Sequence, residues 1–246
     1  MRKLGILLGI FFGLSAIALL GNLLFLNNIK KTTSNAVTNT DRKVCYLTFD
    51  DGPSKNTKKV LDILQKYDIK ATFFLIGSEI GEEDKQVLIR MKEEGHSVGL
   101  HSNVHDFDKI YVSVKECVED YRDEQQMLSE KYGINTSLFR FPGGSACMYM
   151  NGQRKEYVQA MQEKGFRCFD WHVSGEDSVG SPTVYSIQKK VEEGIADYQN
   201  PIILLHDSGI ADATVDALPG IIENIEAQGY EFATLEDREE YIFRSK

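Results

Sequence analysis

An α/β fold on a largely parallel sheet is what this sequence predicts, and three observations carry it. From Lys43 onward, short apolar runs alternate with longer amphipathic ones, the pattern of stacked βα units. Several amphipathic stretches close on a glycine, at Gly95, Gly133, Gly165 and Gly229, where a left-handed cap needs no Cβ. At 246 residues, 42% of them hydrophobic, the chain can bury one full core, and α/β barrels of this size commonly form one domain.

The elements follow in order. Strands are expected at 44–49 (VCYLTF), 71–76 (ATFFLI), 97–100 (SVGL), 138–141 (LFRF), 166–170 (FRCFD), 202–206 (IILLH) and 230–235 (YEFATL), about seven in all. Helices are expected at Thr57 to Tyr67, Asp84 to Glu94, Val114 to Tyr132, Lys155 to Lys164, Ser186 to Tyr198 and Asp216 to Gln228. No solenoid-type repeat is present.

The amino terminus reads differently. Residues 1–3 (MRK) form a short cytoplasmic start, and Leu4 to Leu26 is uncharged and long enough to cross a hydrocarbon layer of about 30 Å as a helix. A cleaved signal peptide has an apolar core of only about 7 to 15 residues, so an uncleaved transmembrane anchor is favoured, with Ala16-Ile17-Ala18 as the cleavage alternative. Basic residues flank it on both sides, Arg2 and Lys3 against Lys30 and Lys31, so charge alone leaves the orientation balanced. Residues 27–42, rich in Ser, Thr and Asn, are a flexible tether, 43–238 one folded domain and 239–246 a charged tail.

The formal net charge is −9, and residues 1–42 hold a single acid, Asp41, so the domain itself is more acidic still. That excludes a nucleic-acid partner. Cys45, Cys117, Cys147 and Cys168 lack the short spacing of a structural zinc site, and either disulfides or free buried thiols fit them.

Polar residues gather where the strands stop. Asp50 and Asp51 follow the first strand, His101 the third, Arg140 lies in the fourth, and Asp170 and His206 end the fifth and sixth. In parallel α/β folds ligands bind at this carboxyl edge. Each signal has an ordinary reading: DDGPS is a turn with Ser54 or Asn56 as helix cap, and Arg140 and His206 are a paired cation and a satisfied histidine. His101 and His105, four apart in HSNVH, are spaced to share a metal ion, and Asp51 would complete a carboxylate-plus-two-histidine set with an open position. His96 and His172 complete no ligand set and read as structural.

Together, TFDDGPS, HSNVH, RFPGG, DW and LLH resemble the five ordered motifs of the polysaccharide deacetylase family, the NodB-homology domain of carbohydrate esterase family four. The resemblance implies a deformed (β/α) barrel and removal of acetyl groups from N-acetylated sugars in a polymer. It implies one divalent metal ion held by Asp51, His101 and His105, zinc first, with cobalt, nickel or manganese also suited to that donor set. It also implies Asp50 as general base, Arg140 paired with Asp50, Asp170 orienting His206, His206 as general acid, and Trp171 and Leu204 shaping the acetyl pocket. A metal lowers the pKa of bound water toward about 7, which supplies the nucleophile, and a backbone N–H near Gly143 serves the oxyanion.

Two departures stand out. The family commonly has an aromatic residue where this chain has Gly143, so a sugar-stacking wall is missing or another loop completes it. Many members have Pro where this chain has Asp106, so a local loop change is expected. The leading expectation is a single-pass, membrane-anchored, outward-facing deacetylase of peptidoglycan N-acetylglucosamine, with the lipid bilayer as partner through residues 4–26. N-acetylmuramic acid, a chitin-like polymer or an O-acetyl ester are the alternative substrates, and an inactive surface-anchored carbohydrate-binding module is the alternative of another class.

Overall fold

A computed structural model describes residues 42–243. The expected membrane segment, the tether up to residue 41 and residues 244–246 lie outside the described residues. Among the described residues no helix is long and apolar enough to cross a membrane.

Among the described residues eight strands form the sheet: β1 (Lys43–Gly52), β2 (Thr72–Leu75), β3 (Ser97–Leu100), β4 (Leu138–Phe139), β5 (Arg167–Cys168), β6 (Val173–Ser174), β7 (Ile202–His206) and β8 (Tyr230–Phe232). Seven run in the order β5-β4-β3-β2-β1-β7-β6, each neighbouring pair parallel, and curl into a half-barrel. β8 pairs with Lys43–Cys45 of β1, while β7 pairs with Tyr46–Asp50. The long first strand therefore serves three neighbours.

The helices are α1 (Lys55–Tyr67), α2 (Lys85–Glu93), the single turn α3 (Phe107–Ile110), α4 (Val114–Tyr132), α5 (Arg154–Glu163), α6 (Val184–Ile195) and α7 (Asp212–Ala227). Ser54 caps α1, accepting from the Asn56 N–H at 2.9 Å, while the Ser54 N–H donates to Thr57 Oγ1 at 2.8 Å. All four glycines expected at helix ends have positive φ. The four cysteines are free thiols, three of them buried.

Side-chain alternation along the strands sorts the interior into two faces. Phe49, Phe73, Phe139 and Ile203 point into the main core, which the apolar stripes of the helices fill with Leu61, Val87, Tyr121, Ile187 and Ile222. Their neighbours Phe74, Leu138 and Ile202 join Phe169 and Leu235 in a second cluster on the opposite face. The same parity carries Thr48 and Asp50 of β1 away from the main core. The register sets Asp50 beside Phe74 on β2 and His206 on β7.

Two expectations are corrected. Strand β6 lay within a stretch with no strand signal, because two residues are too short to show alternation. The expected boundary at 238 is passed: Tyr241 forms a parallel bridge with Phe169 and stacks on His172 at 3.8 Å between ring centroids. Phe243 sits edge-on to Trp171 at 5.0 Å.

Candidate active site

β1 ends where the backbone turns sharply. Asp51 adopts φ 71°, in the left-handed region, and Ser102 and His105 across the site do the same at 78° and 48°. Such conformations cost roughly 1–2 kcal/mol each for residues with a Cβ, and three of them meet at one spot. Gly52 is required there for space: a Cβ would stand 2.7 Å from Asp207 Oδ2. Asp207 is itself held by the Thr57 hydroxyl at 2.5 Å, and its amide donates to the Asp50 carbonyl at 3.1 Å. The turn is thereby clamped between α1 and the segment following β7.

Beyond the turn, Asp51 Oδ1 lies 3.4 Å from His101 Nε2 and 3.4 Å from His105 Nε2. The three ligating atoms all fall within 4.8 Å of one another. The His101 Nδ1–H donates to the Arg140 carbonyl at 2.9 Å, which leaves the Nε2 lone pair facing Asp51. Asp51 Oδ1 is buried and makes no hydrogen bond. An orphaned buried carboxylate oxygen between two imidazole nitrogens is a donor set that fits a divalent cation. Burial works against ionisation of Asp51, but the adjacent His101 ring and the other nearby imidazoles, His206 and His105, hold its pKa down at about 2. Burial lowers the His105 pKa, so its ring is readily neutral as a ligand must be.

Asp50, nearly fully buried, is fixed from one side. Arg140 Nη1 donates to Asp50 Oδ1 at 2.7 Å and to Thr48 Oγ1 at 2.8 Å, and its Nε donates to the Phe169 carbonyl at 2.7 Å. The guanidinium lies over the Phe74 ring at 4.3 Å and near Trp171 at 5.7 Å. Asp50 Oδ2 is left on the side of Asp51, His101 and His105, 3.7 Å from His101 Nε2.

His206 ends β7 beside Asp50. Its carboxylate partner is Asp177, which corrects the expectation for Asp170. Asp177 Oδ1 lies 2.8 Å from His206 Nδ1, and Oδ2 accepts from the His206 amide and the Thr214 hydroxyl at 2.7 Å each. Asp170 is committed elsewhere: it accepts the Ser145 amide at 2.8 Å, the Ser145 hydroxyl at 2.5 Å and the Phe243 amide at 2.7 Å. Asp177 follows the unread strand β6, so no strand-end signal marked it. Burial pulls the His206 pKa down, yet Asp177, with help from Asp50 and Asp51, drives it up to about 9.

The remaining expected residues divide. Leu204, buried on β7 two residues before His206, shares its face. Trp171 packs against Gly144, Phe243 and the Arg140 guanidinium. Gly143 is exposed with φ 76°, and a Cβ there would meet Cys147 Sγ at 3.3 Å and Phe107 at 3.4 Å. Asp106 caps α3, accepting from the Asp108 amide at 3.1 Å. His96 and His172 are structural, each Nδ1 accepting a backbone N–H at 3.1 Å, from Ala71 and Ile202.

Comparison with known proteins bears on the family and the fold. The family model described as polysaccharide deacetylase matches residues 37–169. A peptidoglycan-N-acetylglucosamine deacetylase of Bacillus cereus is 35% identical over 208 residues, covering 83% of this chain and 73% of the relative. The catalytic domain of a peptidoglycan N-acetylglucosamine deacetylase from Eubacterium rectale superposes with a TM-score of 0.77 at 31% identity, covering 85% of this chain and 96% of that one. A family 4 acetyl xylan esterase from Clostridium thermocellum, in complex with a cobalt ion, gives a TM-score of 0.66 at 29% identity over 78% of this chain and 88% of that one. The chain belongs to the polysaccharide deacetylase family, a family of metal-dependent hydrolases acting on acetyl groups.

Proposed function

We propose that this domain hydrolyses the N-acetyl group of N-acetylglucosamine in peptidoglycan. The observation that carries the reading is the placement of Asp50 and His206 as direct neighbours on β1 and β7, beside the Asp51, His101 and His105 triad. A pure binding module has no use for such an acid–base pair. The substrate class follows the Bacillus cereus and Eubacterium rectale relatives.

Asp51, His101 and His105 would hold a divalent cation, which when bound supplies acidity to a neighbouring water and positive charge for an oxyanion. Asp50 acts as base through Oδ2, because Arg140 occupies Oδ1 and keeps the carboxylate from turning. His206 acts as acid. Asp177 takes its Nδ1–H, so Nε2 carries the proton delivered to the departing sugar amine. Leu204 and Trp171 bound the acetyl side, and the open backbone at Gly143 serves the oxyanion. Zinc is the first choice of ion, with cobalt, nickel and manganese compatible with one carboxylate and two imidazoles.

Residues 4–26 anchor the chain in the cell membrane in this reading, with the domain outside the cytoplasm, where a tethered hydrolase meets peptidoglycan first. Acetate release from peptidoglycan, chitin oligomers and acetylated xylan, with and without chelator, tests the activity. Release from peptidoglycan that chelator abolishes is expected. No release from any substrate with the metal site loaded would sink it.

A further inference from the structure

A row of aromatic rings runs from the metal triad to the surface. His105 meets the Phe107 ring edge-on at 5.9 Å, and Phe107 meets Tyr149 at 5.1 Å with an interplanar angle of 62°. The inner end is anchored: Phe107 packs against Tyr111 at 5.7 Å, and the Tyr111 hydroxyl donates to the Pro142 carbonyl at 2.7 Å. The outer end is open, since Tyr149 is 46% exposed and its neighbour Met148 is 82% exposed. Phe107 and Cys147 already crowd the place where a side chain at 143 would begin, and Gly143 leaves the space beside them clear.

We infer that Tyr149, backed by Phe107, is a stacking platform for a pyranose ring of the polymer flanking the sugar that is deacetylated. This rests on the proposed function and extends it to how a polymer is told from a single sugar. A pyranose presents a face of axial C–H groups that packs on an aromatic ring, whereas its edges carry hydroxyls that need water or hydrogen bonds. A ring held by an edge-type contact with Phe107 offers such a face at small cost in side-chain ordering. Its continuity with His105 through ring contacts places the flanking sugar on the α3 side of the site. Met148 extends the apolar surface outward.

The test compares wild type, Tyr149→Ala and Tyr149→Phe on an N-acetylglucosamine pentamer and on 4-nitrophenyl acetate. Tyr149→Ala is expected to raise KM for the pentamer about tenfold, the scale of one lost stacking contact, with kcat within about twofold and the aryl ester unaffected. Tyr149→Phe is expected to behave as wild type. An unchanged pentamer KM in Tyr149→Ala, or an equal effect on both substrates, overturns the platform and leaves the proposed function standing. If wild type hydrolyses no sugar, the proposed function fails, and titration of chelated protein with pentamer and monomer decides the platform. Pentamer binding about tenfold weaker in Tyr149→Ala, with monomer binding unchanged, supports it, and equal binding overturns it.

Discussion

His206 Nδ1 lies 2.8 Å from Oδ1 of Asp177, a residue 29 positions earlier in the chain that the Thr214 hydroxyl also holds. That contact makes His206 a strong base with pKa about 9, so it is protonated at neutral pH and loses its proton only as pH rises through that value. Asp177→Asn removes the largest force raising the value. The basic limb of the kcat profile is then expected to move to lower pH, with about 10²-fold lower kcat at the optimum. Asp170→Asn is the control. It loosens the Ser145 and Phe243 contacts and lowers stability, but the basic limb stays in place.

Metal content separates ligands from base. His101→Ala and Asp51→Asn are expected to lower affinity for a divalent ion by more than tenfold, measured by titration calorimetry. Asp50→Asn is expected to keep the ion while acetate release falls about 10²- to 10⁴-fold. Stoichiometric metal in His101→Ala would refute the ligand set.

Arg140 is fully buried and holds the nearly buried Asp50. Removing one member of a buried ion pair strands the other, at a cost of about 3–5 kcal/mol. Arg140→Met is therefore expected to lower unfolding free energy by that amount in urea. Adding Asp50→Asn to Arg140→Met should restore part of the loss, because the stranded charge is gone.

Acid weakens the fold through two histidines outside the site. Burial depresses the pKa of His96 and of His172 to about 4 from the ordinary 6.5, and each Nδ1 accepts a backbone N–H that a protonated ring would repel. The unfolded chain takes up these protons first as pH falls. Stability is full above about 6.5 and declines toward about 4, by at most roughly 1.4 kcal/mol per pH unit for each ring. Urea midpoints at pH 7, 5.5 and 4 check this, and His172→Gln should flatten the decline.

Strands β1, β2, β3 and β7 were legible because four or more consecutive residues of each are ladder-paired in a mostly buried run. They carry or directly precede Asp50, Asp51, His101 and His206, so most of the site was legible with them. β4 and β5 ladder over only two residues each, and the expected runs overshoot where Arg140 and Asp170 turn to side-chain partners. Asp177 was missed for a related reason. Its position depends on β6, and no local pattern in VSGEDS says that a carboxylate there closes on a strand end from another part of the chain.

The strap at residues 241–243 has a consequence for biosynthesis. Its amides and rings seal the floor around Asp170 and Trp171, yet it emerges from the ribosome after every other segment described. The triad residues at 51, 101 and 105 are made early, long before the support behind Arg140 is complete. Because domains generally fold as units, a nascent chain that still lacks this strap holds the residues of the triad without the contacts that close on Asp170 and Trp171. A ribosome-stalled chain ending before Tyr241 would carry Asp51, His101 and His105 without the aromatic and amide contacts of the strap.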